Sequence, residues 1–133
     1  MKKVRGYIFS RAFMGERVPQ HVQNLVIRDY CVRNNLQYLL SAAEYAMQDS
    51  CLILEQILCE LSELDGIVAY SLFQLPENAE KRDQIYQQII GMNKNFYFAV
   101  EGLKAGTDQE CERIETLWNV RQTLPHCLQY CAY

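Results

Sequence analysis

An α/β fold built on a parallel sheet is what this sequence predicts, and three observations predict it. Short β-prone runs and helical patterns alternate four times along the 133 residues, the order that layers helices over parallel strands. The β-prone runs are nearly continuous in apolar residues, as strands covered on both faces are. The length suits one domain, since about 100–200 residues is usual, and neither a repeat nor a linker interrupts it.

The elements follow in order. Val4 to Phe9 is the first strand-like run, and Ser10 to Pro19 is a loop carrying Gly15 and several charges. A helix follows over 20–34, with Pro19 suited to its start and Val22, Leu25, Val26 and Tyr30 on its apolar side. Asn34-Asn35 ends it. The second strand covers 37–42, and Asp49 or Ser50 is placed to cap the next helix. Leu54, Ile57, Leu58, Leu61 and Leu64 recur at helical spacing. Asp65-Gly66 stops that helix and opens a third strand near 66–71. A third helix spans 76–92, burying Ile85, Tyr86, Ile89 and Ile90, and a fourth strand spans 95–100. Thr107, with Glu110 three residues on, forms a capping box for a helix that buries Cys111, Ile114, Leu117 and Trp118. The domain is expected over 1–121, and 122–133, marked by Pro125, as an irregular tail. Right-handed crossovers leave few topologies. The expectation is a three-layer fold whose four-stranded parallel sheet has the order 2-1-3-4.

Composition narrows the function. Half the residues are apolar and 22% are charged, which excludes a disordered chain. Lys+Arg number 13 against 16 Asp+Glu, a net charge of −3. That balance lacks the basic footprint of a general nucleic-acid binder, so no nucleic-acid partner is expected. No apolar run approaches about 18 residues, so no membrane span is expected. Met1-Lys2-Lys3 leads into a strand without a signal-peptide pattern, which points to the cytoplasm. There Cys31, Cys51, Cys59, Cys111, Cys127 and Cys131 are expected as reduced thiols, those in helices acting as small core hydrophobes. His126-Cys127 with Cys131 is a metal-like grouping short of the four ligands zinc sites use. Neither Gly-rich phosphate motif occurs. No metal and no cofactor are expected.

Ligands of open α/β sheets sit beyond the carboxyl ends of the strands, near the point where strand order reverses. Strand 1 delivers Ser10, Arg11, Arg17, Gln20 and His21 to that edge. Strand 2 delivers Ser41, Glu44 and Tyr45, strand 3 Ser71 and Gln74, and strand 4 Glu101. Arg11 and Arg17 match the oxygens of phosphate or carboxylate beside a helix N-terminus, or else pair with Glu16 or Asp29. His21 is placed for proton transfer, or is an exposed structural residue. Glu44 and Glu101 are candidates for a carboxylate pair. Ser10 is a nucleophile if a base or clustered arginines reach it, or a strand-end hydroxyl that satisfies loop backbone. Arg11, Arg17, Gln20, Ser41, Tyr45, Ser71 and Gln74 are the expected binding residues, and Ser10, His21, Glu44 and Glu101 the candidate catalytic ones. Nine tyrosines supply amphipathic surface for stacking on a ligand or for a partner.

Two resemblances add to this reading. Arg5-Gly6-Tyr7-Ile8-Phe9-Ser10-Arg11, Arg17-Val18-Pro19-Gln20-His21-Val22-Gln23-Asn24, Tyr38 to Tyr45, Asp65 to Pro76 and Phe98 to Leu103 resemble the sporadic carbohydrate cluster proteins, along the chain to about residue 120. That resemblance implies a place in surface-glycan biosynthesis. A sugar phosphate or nucleotide-sugar would then be the ligand, or a neighbouring glycan enzyme the partner, and it implies no particular reaction. More distantly, the chain resembles the serine recombinase catalytic domain, with the same strand-helix order and Ser10 at the position of the nucleophile. That family carries arginines after the third strand, where this chain has Tyr70-Ser71-Leu72-Phe73-Gln74-Leu75-Pro76 and no arginine until Arg82. The resemblance implies a resolvase-like fold and a degenerate form of the recombinase module. A homodimer is a further expectation, from the apolar area of the helices.

Overall fold

The computed structural model describes residues 2–10, 17–44 and 52–131, with side chains through residue 123. In chain order the elements are β1 (Lys2–Phe9), α1 (Gln20–Arg33), β2 (Leu36–Glu44), α2 (Leu52–Cys59), β3 (Gly66–Ala69), α3 (Ala79–Gly91), β4 (Asn95–Phe98), β5 (Leu103–Ala105) and α4 (Asp108–Cys131). Single 3-10 turns, Leu61–Glu63 and Leu72–Gln74, precede and follow β3. The sheet order is β2-β1-β3-β4-β5. The expected order 2-1-3-4 is therefore present, and its three pairings are parallel.

The fifth strand corrects the expected count. Beyond Phe98 the chain turns, with Gly102 at φ 65° and its N–H donating to the Phe98 carbonyl at 2.9 Å. Leu103–Ala105 then returns antiparallel to β4. Gly102 sits where a side chain would strain the left-handed backbone. Three residues are too few to show a period of two, so the sequence pattern does not reveal β5.

Two cores of unequal size flank the sheet. Tyr7, Phe9, Ile67, Ala69, Phe96 and Phe98 face α2, α3 and α4, which contribute Leu54, Ile57, Ile85, Ile89, Ile114 and Trp118 to one large cluster. Val4, Ile8, Val68 and Tyr97 face α1, which supplies Ile27 and Cys31 to a smaller one. Three helices cover one face and one covers the other. On the α1 side, β2 carries an irregularity opposite Gly6, between the pairs Arg5–Leu39 and Tyr7–Ala42. A Cβ on Gly6 would lie 2.1 Å from Ser41 Oγ. The missing side chain gives room for the Tyr38 hydroxyl and Ser41 Oγ, 2.6 Å apart, and for the Tyr38 bond to Asn24 Oδ1 at 3.1 Å.

Three element-level expectations need correction. The buried residues of α1 are Gln23, Ile27 and Cys31, spaced by four, while Leu25 is 62% exposed. The polar Gln23 takes the position that hydrophobicity assigned elsewhere. Cys59 is exposed rather than a core thiol, whereas Cys31 and Cys111 are buried and all three are free. The tail expected from Pro125 onward is helical, since α4 runs to Cys131. A proline inside a helix loses its N–H donor and crowds the carbonyl four residues before it, which marks Pro125 as a stop in the sequence, yet α4 is helical on both sides of it. Asp49, Ser50 and Cys51 lie outside the described residues, as do the side chains of His126, Cys127 and Cys131. Among the described residues no His/Cys/Asp/Glu group could hold a metal ion, and no helix is long and apolar enough to cross a membrane.

Candidate functional site

The carboxyl ends of β1 and β3 lie side by side in the sheet, and the chain leaves them toward opposite faces. This is the crevice in which an α/β sheet ordinarily receives a ligand. Here two glutamine side chains fill it. Gln23 Oε1 accepts the Phe9 N–H at 3.0 Å, and Gln23 Nε2 donates to the carbonyls of Phe9 (3.0 Å) and Val18 (2.8 Å). Gln74 Nε2 donates to Gln23 Oε1 at 2.7 Å. Gln74 Oε1 accepts the N–H groups of Tyr70 (3.0 Å) and Ser71 (3.3 Å). Both side chains are buried. The amide pair satisfies backbone groups that the strand ends leave unpaired, as buried polar groups require, and it ties β1, β3 and α1 together.

The flanking carboxylates are occupied in the same way. Glu44, at the end of β2 and 1% exposed, accepts the Tyr7 hydroxyl at 2.8 Å and the N–H groups of Ile53 (3.1 Å) and Leu54 (3.2 Å). Those N–H groups belong to the first turn of α2, where a carboxylate meets the positive end of the helix dipole. Glu101, beyond β4, accepts the Ser71 hydroxyl at 2.8 Å and the Leu72 N–H at 2.9 Å. Ser71 Oγ in turn accepts the Phe73 N–H at 3.2 Å, so Ser71, Gln74 and Glu101 together build the turn after β3.

This placement corrects the idea of a carboxylate pair. Glu44 ends β2 and Glu101 follows β4, with β1 and β3 between. Three strand spacings are about 14 Å, beyond the roughly 5–9.5 Å over which two carboxyl groups share glycosidic chemistry. Ser41 is also corrected, because it lies inside β2 beside Gly6 rather than at the strand end. Glu44 and Gln74 are buried and do not line an open cleft.

Ser10 does sit at the end of β1. Its hydroxyl donates to the Glu44 carbonyl at 2.5 Å, which closes the end of the β1–β2 pair. Among the described residues no arginine bonds to it. Arg17, Gln20 and His21 are exposed around the start of α1, an N-terminus that has neither a side-chain cap nor an acidic residue in its first turn. Arg11 and Tyr45 lie outside the described residues. Sequence reasoning missed Gln23 and Tyr7. Gln23 was detectable as the residue four before Ile27 and eight before Cys31, on the face that becomes buried.

No protein-family model matches the chain, and no curated protein matches it. Solved structures do. The chain is similar to a resolvase family site-specific recombinase from Streptococcus pneumoniae (TM-score 0.63, 10% identity, 98% of this chain and 99% of that one). It is similar to the N-terminal catalytic domain of TP901-1 integrase (TM-score 0.61, 10% identity, 97% and 99%). The C-terminal catalytic domain of ISC1926 TnpA, an IS607-like serine recombinase, also matches (TM-score 0.53, 13% identity, 86% and 79%). None of these comparisons supports the carbohydrate-cluster resemblance. At such identities they establish one thing: the chain has the resolvase-like α/β fold of serine recombinase catalytic domains.

Proposed function

We propose that this chain is a serine-recombinase-like module that binds an anionic partner group at its strand-end edge and does not cleave DNA. The observation that carries the reading is the Gln23–Gln74 bridge across the β1–β3 crevice. Cleavage through a serine needs an activated hydroxyl and cations around the phosphodiester. Here the Ser10 hydroxyl is committed to a backbone carbonyl. The turn after β3, where the recombinase resemblance expects arginine, is built from an amide and the Glu101 carboxylate. A carboxylate there repels a phosphodiester rather than stabilising it. Among the described residues, the edge offers outward the uncapped first turn of α1 with Arg17, Gln20 and His21 exposed, chemistry that suits an anionic group. A sugar phosphate or nucleotide-sugar, the ligand implied by the carbohydrate-cluster resemblance, is the first class to offer it.

The experiment has two arms. Incubation with supercoiled plasmid should give neither nicking nor a covalent protein–DNA adduct. An adduct that disappears in Ser10→Ala would overturn the reading. In a thermal-shift panel of sugar phosphates and nucleotide-sugars, stabilisation should be lost in Arg17→Ala. A saturating ligand at about one hundred times its Kd adds about 2.7 kcal/mol, so failure to stabilise is easily seen and would remove the anion-binding half of the proposal.

A further inference from the structure

A groove of about 880 Å³ opens on the α1 side of the sheet, by the amino ends of β1, β2 and β3 and along β5. It lies at the end of those strands opposite the edge described above, and its volume is within the usual range for small-molecule sites. The groove follows from the layering. One helix covers this face, and α1 packs mainly over β1 and β2, so the β4–β5 half stays open.

The lining has a distinct chemistry. Tyr30 from α1 and Tyr97 from β4 meet in it with ring centroids 6.1 Å apart, tilted by 53°. Lys2, Lys104 and Arg113 bring cations from β1, β5 and α4. None of the three forms an ion pair among the described residues. Two carboxylates also line the groove, but backbone N–H groups hold them: Asp65 accepts from Lys3 at 2.7 Å, and Glu110 from Gly106 at 3.1 Å. Three uncommitted cations beside an aromatic wall favour a ligand that joins a flat ring to an anion.

We propose that this groove binds a nucleoside monophosphate, with its base against Tyr30 and its phosphate between Lys104 and Arg113. The aromatic wall supplies contact area for the base, and the two side chains supply charge-assisted hydrogen bonds to the phosphate oxygens. The site shares no residue with the strand-end edge, so either proposal can fail alone.

The test is an NMR titration of the 15N-labelled chain with adenosine 5′-monophosphate, and separately with adenosine and with inorganic phosphate. Amide shifts should cluster at residues 30, 35, 97, 104 and 113, and the monophosphate should bind more tightly than either half. Lys104→Ala and Arg113→Ala, both exposed and so expected to leave the fold intact, should each weaken binding by about tenfold, or 1.4 kcal/mol. Tyr30→Leu should weaken the monophosphate and leave inorganic phosphate unchanged, and Arg17→Ala should change nothing. Absence of shifts at millimolar monophosphate overturns the proposal. So does equal binding of inorganic phosphate alone, or binding indifferent to Lys104, Arg113 and Tyr30.

Discussion

Gln23 carries more of the architecture than its polarity suggests. Its amide satisfies both backbone groups of Phe9 and the Val18 carbonyl, and it receives the Gln74 amide. Replacing it with leucine keeps much of the volume but leaves those groups without partners. An unsatisfied buried polar group costs about 1–3 kcal/mol, so Gln23→Leu should lose at least about 3 kcal/mol in urea unfolding. A loss under about 1 kcal/mol would mean that solvent replaces the amide. The same residue hides the buried face of α1 in the sequence. Ile27 and Cys31 were available as a buried strip, but a glutamine four residues earlier broke the hydrophobic pattern, and Val22, Leu25 and Val26 offered a competing face. Thiols make a second residue-scale case. Burial pushes the Cys31 thiol up to about 11. Burial, reinforced by the carboxylates of Asp108 and Glu110, pushes Cys111 up to about 12. Both stay protonated and enclosed at neutral pH, whereas Cys59 is exposed. Peptide-mapped alkylation of the native protein should modify Cys59 well before either of the other two, because the thiolate is the reactive form. Equal labelling of all three would contradict the burial of Cys31 and Cys111.

At the scale of elements, an ion pair beside the large core joins α3 to α4. Arg82, 2% exposed, donates to both Glu115 oxygens at 2.8 and 2.9 Å and to the carbonyls of Pro76 and Glu77. It also lies 4.3 Å from the centre of the Trp118 ring. Tyr86 donates a further bond to Glu115 at 2.6 Å. Burial alone would raise the Glu115 carboxyl, but the bonds from Arg82 and Tyr86 outweigh it and hold the group below its ordinary 4.5. A carboxyl lowered in the folded state contributes stability that is complete above its unfolded pKa. That contribution is lost as pH falls through the folded value. Stability should therefore decline below about pH 4.5 with a component that is absent in Glu115→Gln. An unchanged acid slope in that variant would assign the decline to other carboxylates. Glu115 is 31% exposed and is partly rehydrated once its partner is gone, so Arg82→Ala should cost about 3 kcal/mol, the lower end of what breaking a buried pair costs. Helix positions were legible because Ile85, Ile89, Ile114 and Trp118 keep helical spacing. The partnership of Arg82 with Glu115 was not, because 33 residues separate the two and nothing local links them. The N-cap Asn78, whose side chain accepts the N–H groups of Glu80 and Lys81, starts α3 three residues after the proline expected to begin it.

For the whole molecule, alternation and crossover handedness, which do not depend on side-chain detail, narrow the order of the first four strands to a few possibilities, and the expected 2-1-3-4 is the one present. The same handedness rule puts α1 on one face and α2 and α3 on the other, because the chain moves one way from β1 to β2 and the opposite way from β2 to β3 and β4. The face taken by α4 was not legible, because the unrecognised β5 precedes it. The outcome is lopsided. Three helices cover the sheet face that holds Tyr7, Phe9, Ile67 and Phe98, while α1 alone covers the other and commits only Gln23, Ile27 and Cys31 to full burial. Local stability follows the amount of buried apolar contact, so thinly covered elements open at lower free energy than the global transition. Native-state hydrogen exchange should then place the amides of α1 in a sub-global unit. They should exchange at lower free energy than those of β1, β3 and β4, whose strands lie in the interior of the sheet. Opening of α1 would release Gln23 from Phe9 and uncover Tyr97 together, so the strand-end edge and the opposite groove would loosen in one step. Ile27→Ala should speed exchange in α1 and leave the amides facing the larger core nearly unchanged. If α1 instead exchanges with β3 in a single global event, the amide bridge between Gln23 and Gln74 couples the two layers more strongly than the buried apolar surface of α1 implies.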